Sequence, residues 1–397
     1  MGDNSEYIVR VASRIADIDP GTWNGLANPQ GRQSNGQPNN PFITFEFLKA
    51  LEDTGCVGPG TGWAPQHLIL QDGAGAIRGL MPNYAKSHSQ GEYVFDHGWG
   101  DAYHRAGGQY YPKLLSAVPF TPVTGPRFLV GSGVDAPYAR KILLQAAVEL
   151  TDRLEASSFH INFLTQDEWN EMGALGLLQR TDQQFHWQNH DYAHFDDYLG
   201  ALASRKRKAV KKERCAAQAD DIEISWLEGS DITEAHWDAF FEFYLDTGAR
   251  KWGHPYLNRE FFSALSKSMP ESLLLIMARR IGTSGDEFIA GALNLIGGDT
   301  LFGRYWGCVE DVNSLHFEIC YYQAIEYAIE RKLKYVEAGA QGAHKLARGY
   351  LPRTTYSAHY IADPQFRRAI SDYLDGERQF VAAEQSELNE HSPFKKV

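Results

Sequence analysis

Cysteine is scarce: Cys56, Cys215, Cys308 and Cys320 are the only four in 397 residues, and none stands in a CxxC spacing. That excludes a disulfide framework and a zinc ribbon, and leaves four reduced thiols. No window approaches the ~20 uninterrupted apolar residues of a membrane span. The opening MGDNSEYIVRVAS lacks the basic and apolar regions of a secretory leader, so a cytoplasmic location is expected. G-x-S-x-G, G-x-x-x-x-G-K-[ST] and G-x-G-x-x-G are all missing, which removes support for nucleophile-elbow hydrolysis, nucleotide hydrolysis and dinucleotide binding. A net charge of −12 argues against broad adhesion to nucleic acid or anionic membrane. His186, His190 and His194 stand four apart, but QQFHWQNHDY alternates like a strand and then loops, so their rings do not align and no metal site is expected.

Hydrophobic residues make up 43% of the chain, enough for full cores, and the length suits two domains. HLIL before Asp72-Gly73, then Ala76–Ala85 and Glu92–His97, read as three strands. A helix is expected over Pro137–Ala156, capped by Asp135, with Leu143, Ala147, Leu150 and Leu154 on one face. The strand Phe159–Leu164, a helix opening near Asp167 and a strand at QQFHWQN follow. The second half repeats the plan. Leu273–Arg279, Ile289–Ile296 and Thr300–Cys308 read as strands, the last two joined by a Gly297-Gly298-Asp299 turn. A helix over Leu315–Lys332, the strand KYVEAG and the strand TTYSAHYI complete it. Meander, long helix, strand thus occurs twice. The expected division is residues 1–195 and 196–397, with a hinge near Phe195. Between the halves one helix is expected from Asp196 or Asp197 to before Ile222. Seven cations between Arg205 and Arg214 crowd it, as a helix contacting a CoA pyrophosphate or an RNA backbone would need, or as a solvated face.

Ionisable and aromatic residues concentrate in two regions, as a small-molecule cleft requires. One is Tyr84–Arg105, with Lys86, His88, Glu92, Asp96 and Trp99. The other is Tyr305–His359, with Trp306, His316, Glu318, Gln341, His344, Lys345 and Arg348, and Arg304 just before it.

Six phrases spanning nearly the whole chain carry a resemblance: NPFITFEFLKALE, HSQGEYVFDHGWGDAYHRAGGQYYPKL, VPFTPVTGPRFLV, SRKRKAVKKER, YWGCVEDVNSLHFEICYYQAIEYAI and GAQGAHKLARGYLP. Together they resemble the FemAB-like branch of the GNAT acyltransferase superfamily, a bacterial-type group of peptidoglycan-biosynthesis-like N-acyltransferases. The resemblance implies an α/β fold, mixed sheets flanked by helices, as tandem GNAT-like domains in a FemAB-like arrangement. It implies transfer of an acyl or aminoacyl group to a small-molecule amine acceptor. No permanently bound cofactor is expected; acyl-CoA or aminoacyl-tRNA is the co-substrate, with tRNA a partner through the Arg205–Arg214 helix. Two departures stand out. Ala343 replaces the usual Glu in the GAQG-E-HK phrase. VEDVNSLHFE stands where the pyrophosphate signature [QR]-x-x-G-x-[GA] belongs, and its acidic residues repel a pyrophosphate. They motivate an alternative, a non-catalytic ligand-binding protein on a degenerate acyltransferase fold.

Direct attack by an amine needs a base, oxyanion donors and a proton for the leaving group. His316 or Glu318, at the start of a helix, is the expected base, and Tyr305 the expected proton donor. Lys345, Arg348 and Arg127 are candidates for holding a phosphate or carboxylate. His88, Glu92 and Asp96 are expected to complete the acceptor pocket across the domain interface. Trp99, Arg304, Trp306, Gln341 and His344 are further candidate contacts.

Overall fold

The computed structural model describes residues 7–31, 36, 38–218, 221–251, 255–282, 287–339 and 342–395. The chain forms two compact units. Unit 1 comprises Met1–Gly31, Phe42–Gln183 and Thr354–Ala383; unit 2 comprises Arg32–Pro41, Gln184–Arg353 and Glu384–Val397. These bounds differ from the division at residue 195. The exchange falls inside two long strands, Leu178–Gln188 and Leu351–Ile361, where hydrophobic periodicity carries no mark of a boundary.

In unit 1, Trp63–Pro65, Tyr84–Lys86, Lys113–Ser116, Ser158–Asn162 and residues 354–361 lie side by side in one sheet. A second sheet has the order Ile8–Ala12, His67–Gln71, Ile77–Met81, Leu129–Val130. Lys113–Ser116 and Ser158–Asn162 run parallel, joined through the helix Ala136–Arg153, as a parallel pair requires. Asp135 caps that helix by accepting from the Tyr138 backbone N–H. Its Leu143 and Ala147 pack with Leu114, Phe159, Ile161 and Ala358, all from one face of the sheet. The opposite face is also buried, and there Lys86, Lys113, His160 and His359 lie among Trp63, Tyr84 and Leu115.

Residues 92–97 do not form the expected strand. Asp96 precedes the helix His97–Arg105, and Tyr93 has φ of 59°. The alternation of EYVFDH imitates a strand, but Glu92 and Asp96 both bond Lys113 and so draw the segment into a loop.

In unit 2 the sheet order is Ile222–Glu228, Leu273–Arg280, Glu287–Ile296, Thr300–Cys308, Tyr335–Glu337 and residues 184–188. The first four strands form an antiparallel meander. Thr300–Cys308 then connects through a helical segment to Tyr335–Glu337, which it pairs in parallel. The recurring feature of the two units is therefore strand, helix, parallel strand. The meanders preceding it are built differently.

Two departures from regular helix shape unit 2. The expected basic helix is two helices, Phe195–Ala201 and Ser204–Ala217. At the break Leu202 is buried and bridges Phe394, and the Ala203 N–H donates to the Pro393 carbonyl. The segment Leu315–Glu330 is α-helical at both ends, but Glu318–Tyr322 is a π-turn. Among the described residues no helix is long and apolar enough to cross a membrane.

Candidate functional site

The parallel pairing in unit 2 covers only Thr300–Phe302 with Tyr335–Glu337, while the longer strand runs on to Cys308. Beside the point of divergence the register slips: Leu293 faces Tyr305 and Asn294 faces Gly303, leaving Arg304 as the extra residue of a bulge. Bulges re-aim side chains next to functional sites. Arg304 donates to the Glu337 carboxylate at 3.0 Å, and His186 Nε2 lies 4.0 Å from the same carboxylate. Lys345 Nζ donates to the carbonyls of Ala338 (2.7 Å) and Gly339 (3.0 Å), just past the shorter strand. Burial pushes the Lys345 ammonium down to about 7.

Past Arg304, Tyr305 and Trp306 take opposite faces of the strand. Tyr305 meets the ring of Tyr244 at 5.5 Å, whereas Trp306 turns toward the helical segment and meets His316 at 5.1 Å. Tyr305, the expected proton donor, thus faces away from His316, one of the two expected bases. Trp306, His316, Leu315, Cys308, Glu310 and Asp311 are among the residues lining a cavity of about 260 Å³.

The π-turn decides what surrounds His316. Five residues advance an α-helix by about 500°, so positions i and i+5 sit about 140° apart on its surface; a π-turn, with i→i+5 bonds, stacks them. His316 and Tyr321 accordingly meet at 5.4 Å. Tyr321 Oη shares a hydrogen bond with His344 Nε2 at 2.9 Å, and burial raises the Tyr321 phenol above its ordinary range. The His344 ring lies 6.1 Å from His316. Tyr321 was not among the expected site residues. A 3.6-residue period directs it away from His316, and only the π-turn brings it back.

Glu318 and Gln323 form the second such pair, 2.7 Å apart. Glu318 is fully buried and also accepts from Arg214 Nη2 at 3.0 Å and Gln218 Nε2 at 2.7 Å. A carboxylate saturated by a guanidinium and two amides is not placed to take a substrate proton, whereas His316, the other expected base, lines a cavity. Arg348 lies 3.4 Å over the Phe317 ring and donates to Glu213 at 2.9 Å. Glu213 also accepts from Tyr322. Arg348, Tyr322, Glu213, Arg205 and Lys206 help line a second cavity of about 380 Å³. Gln341 lies outside the described residues.

The other expected residues belong to the polar layer of unit 1. His88 is half-buried; its Nε2 pairs with the Thr61 carbonyl at 3.0 Å and its Nδ1 accepts from the Gln90 N–H. Glu92 and Asp96 are buried and both accept from Lys113 Nζ, Glu92 at 2.8 Å. Burial raises Glu92 to about 7 and lowers Lys86, 3.7 Å away, to about 7. Burial opposes ionisation of Asp96 too, but Lys113 outweighs it and holds that carboxyl low. Tyr110 joins Asp96 at 2.8 Å, and His160 and His359 bond through their Nδ1 atoms at 2.6 Å. Burial keeps both imidazoles neutral, His160 falling to about 3. The Trp99 ring packs edge-on against His359 at 4.9 Å. Arg127 is fully buried and donates to the carbonyls of Val123, Gly125, Pro126 and Asn162. It ties segments of unit 1 together and has no face for a phosphate. Lys113, His160 and His359 were not singled out in the sequence, because strand periodicity alone does not distinguish a polar buried face from a solvated one.

Residues 14–396 match the model of the FemAB-like family, described as peptidoglycan biosynthesis/recognition. The chain belongs to the FemAB-like family. Its fold is similar to that of FemX, with 12% identity, 89% of this chain and 98% of that chain covered, and a TM-score of 0.53. It is also similar to the C-terminal domain of a putative lysylphosphatidylglycerol synthetase from Agrobacterium fabrum: 9% identity, 91% and 96% covered, TM-score 0.52. No curated protein matches. This FemAB-like protein therefore has a mixed α/β fold of two compact units, similar to the fold of FemX.

Proposed function

We infer that this FemAB-like protein is an N-acyltransferase whose chemistry runs in unit 2, beside the diverging strands Thr300–Cys308 and Tyr335–Glu337. The observation that carries the reading is the His316 cavity: an imidazole, an aromatic wall and a Tyr321–His344 hydrogen bond gathered by one π-turn next to a strand bulge. The acceptor amine enters that cavity and its nitrogen attacks the donor carbonyl carbon. A C–N bond forms, and the bond from carbonyl carbon to the thioester sulfur or ester oxygen breaks. His316 takes the proton lost by nitrogen, and Tyr321, coupled to His344, supplies one to the leaving group. Arg205, Lys206 and Arg348 hold the donor's phosphates in the second cavity.

Two donors fit this reading, acyl-CoA and aminoacyl-tRNA, and the basic helix Ser204–Ala217 suits either. Thermal melts and product analysis by mass with each donor separate them. A donor that is used raises the melting temperature and yields an acylated amine. If aminoacyl-tRNA is the donor, affinity falls steeply with salt. Binding without product from either donor, across a panel of amines, favours the non-catalytic alternative.

A further inference from the structure

We propose that the acceptor is a small cationic amine, one that keeps a positive charge after its reacting nitrogen has lost a proton to His316. This rests on the transferase reading of the same cavity and adds the substrate class. Among the described residues the cavity is lined by His316, Cys308, Glu310 and Asp311 as its ionisable groups, with no lysine or arginine. Arg280, at the end of the strand Leu273–Arg280, pairs with both Glu310 and Asp221, one cation shared between two carboxylates. Asp311 is exposed and has no such partner among the described residues. Among those residues it presents a negative charge at the cavity that no cation offsets. The Trp306 ring supplies the second cation-favouring surface, since an indole face attracts an ammonium.

Volume limits the ligand as well. A cavity of about 260 Å³ falls below the ~300–1,000 Å³ typical of drug-sized ligands. It takes an amine with a short aliphatic chain or the tip of something longer. The charge contrast with the second cavity is sharp. Arg205, Lys206 and Arg348 line that one against a single carboxylate, Glu213, so the two sides of the Leu315–Tyr322 segment favour opposite charges: His316 lines one cavity and Tyr322 the other. An anionic or zwitterionic acceptor placed against Asp311 meets repulsion, and a monoamine forgoes the second attraction.

Calorimetric titration of the full chain with cadaverine, pentylamine and aminovalerate, three chains of equal length, tests this. The expected order of affinity is cadaverine, then pentylamine, then aminovalerate. Asp311→Asn and Trp306→Leu should each weaken cadaverine roughly fivefold, the upper end for a partly exposed charge pair, and narrow the gap to pentylamine. Asp311 lies in an exposed loop, so Asp311→Asn should melt like the wild type. Equal affinities for the three ligands, tightest binding of aminovalerate, absence of binding or an unchanged cadaverine affinity in Asp311→Asn overturns the proposal. Acyl transfer is read separately by product mass. Selective cadaverine binding with no product from any donor leaves the charge selection standing and removes the transferase reading. Acylation of all three amines at equal rates does the reverse.

Discussion

Removing the carboxylate of Glu318 should cost stability. Glu318 is wholly enclosed, and its acceptors serve Arg214, Gln218 and Gln323 at 2.7–3.2 Å. Arg214 also reaches Glu326 at 2.6 Å. In Glu318→Ala three donors lose their common acceptor, and a largely buried guanidinium keeps Glu326 as its only carboxylate among the described residues, beside the Phe195 ring 4.3 Å away. Breaking one side of a buried ion pair costs about 3–5 kcal/mol; Arg214 retains 18% exposure of its side chain, which places the cost toward the lower end. At about 2–4 °C per kcal/mol for a unit of this size, melting should fall by roughly 6–12 °C. Glu318→Gln keeps the shape but loses the charge and sets one amide N–H against other donors, so about half that loss is expected. Urea titration at constant pH measures it, and turnover per folded molecule should change by less than about tenfold. If Glu318→Gln instead melts like the wild type while turnover falls roughly 100-fold or more, Glu318 is the base and the structural reasoning fails.

Three further outcomes follow from the same geometry. His160→Gln should lessen the acid sensitivity of unit 1. An imidazole depressed from 6.5 to about 3 binds protons more readily unfolded, so its contribution is present above about pH 6.5 and is lost as pH falls. The wild-type minus variant stability should therefore fall by up to about 1.4 kcal/mol per pH unit below pH 6, in urea melts from pH 7 to 4; a flat difference refutes it. Lys345→Met tests the opposite limb. With its folded value near 7, Lys345 penalises the fold below that pH and relieves the penalty as pH rises toward 10.5. The wild type should gain on the variant between pH 7 and 10, and a difference independent of pH refutes the burial argument. Tyr321→Phe should lower kcat about 10- to 100-fold with KM little changed, if Tyr321 protonates the leaving group; an unchanged kcat removes that role.

Much of the fold was legible because local signals agreed. Thr300–Cys308 has the bounds expected, set by the Gly297-Gly298-Asp299 turn, whose Gly297 N–H donates to the Thr300 carbonyl. The helix Ala136–Arg153 followed from its apolar stripe and the Asp135 cap. The helix break at Leu202 was not legible, since what stops the helix there is a contact with Phe394, nearly 200 residues away. Site residues were legible by type and region but not by pairing. His316, Trp306 and His344 come together as a cluster, yet Glu318, from the same helical turn, is consumed by Arg214, whose charge looked like a solvated face. Arg127 shows the converse: an arginine expected to hold a phosphate or carboxylate spends its donors on backbone carbonyls.

The most direct test of the central claim, that unit 2 transfers an acyl group at the His316 cavity, is the single-turnover rate of His316→Ala beside the wild type. The donor is whichever of acyl-CoA or aminoacyl-tRNA the wild type uses, and cadaverine is the acceptor. The variant should melt within about 2 °C of the wild type and transfer roughly 100-fold more slowly or worse, with the loss shrinking as pH rises and the amine deprotonates unaided. A variant that transfers at the wild-type rate, or a wild type that transfers from neither donor to any amine, contradicts it.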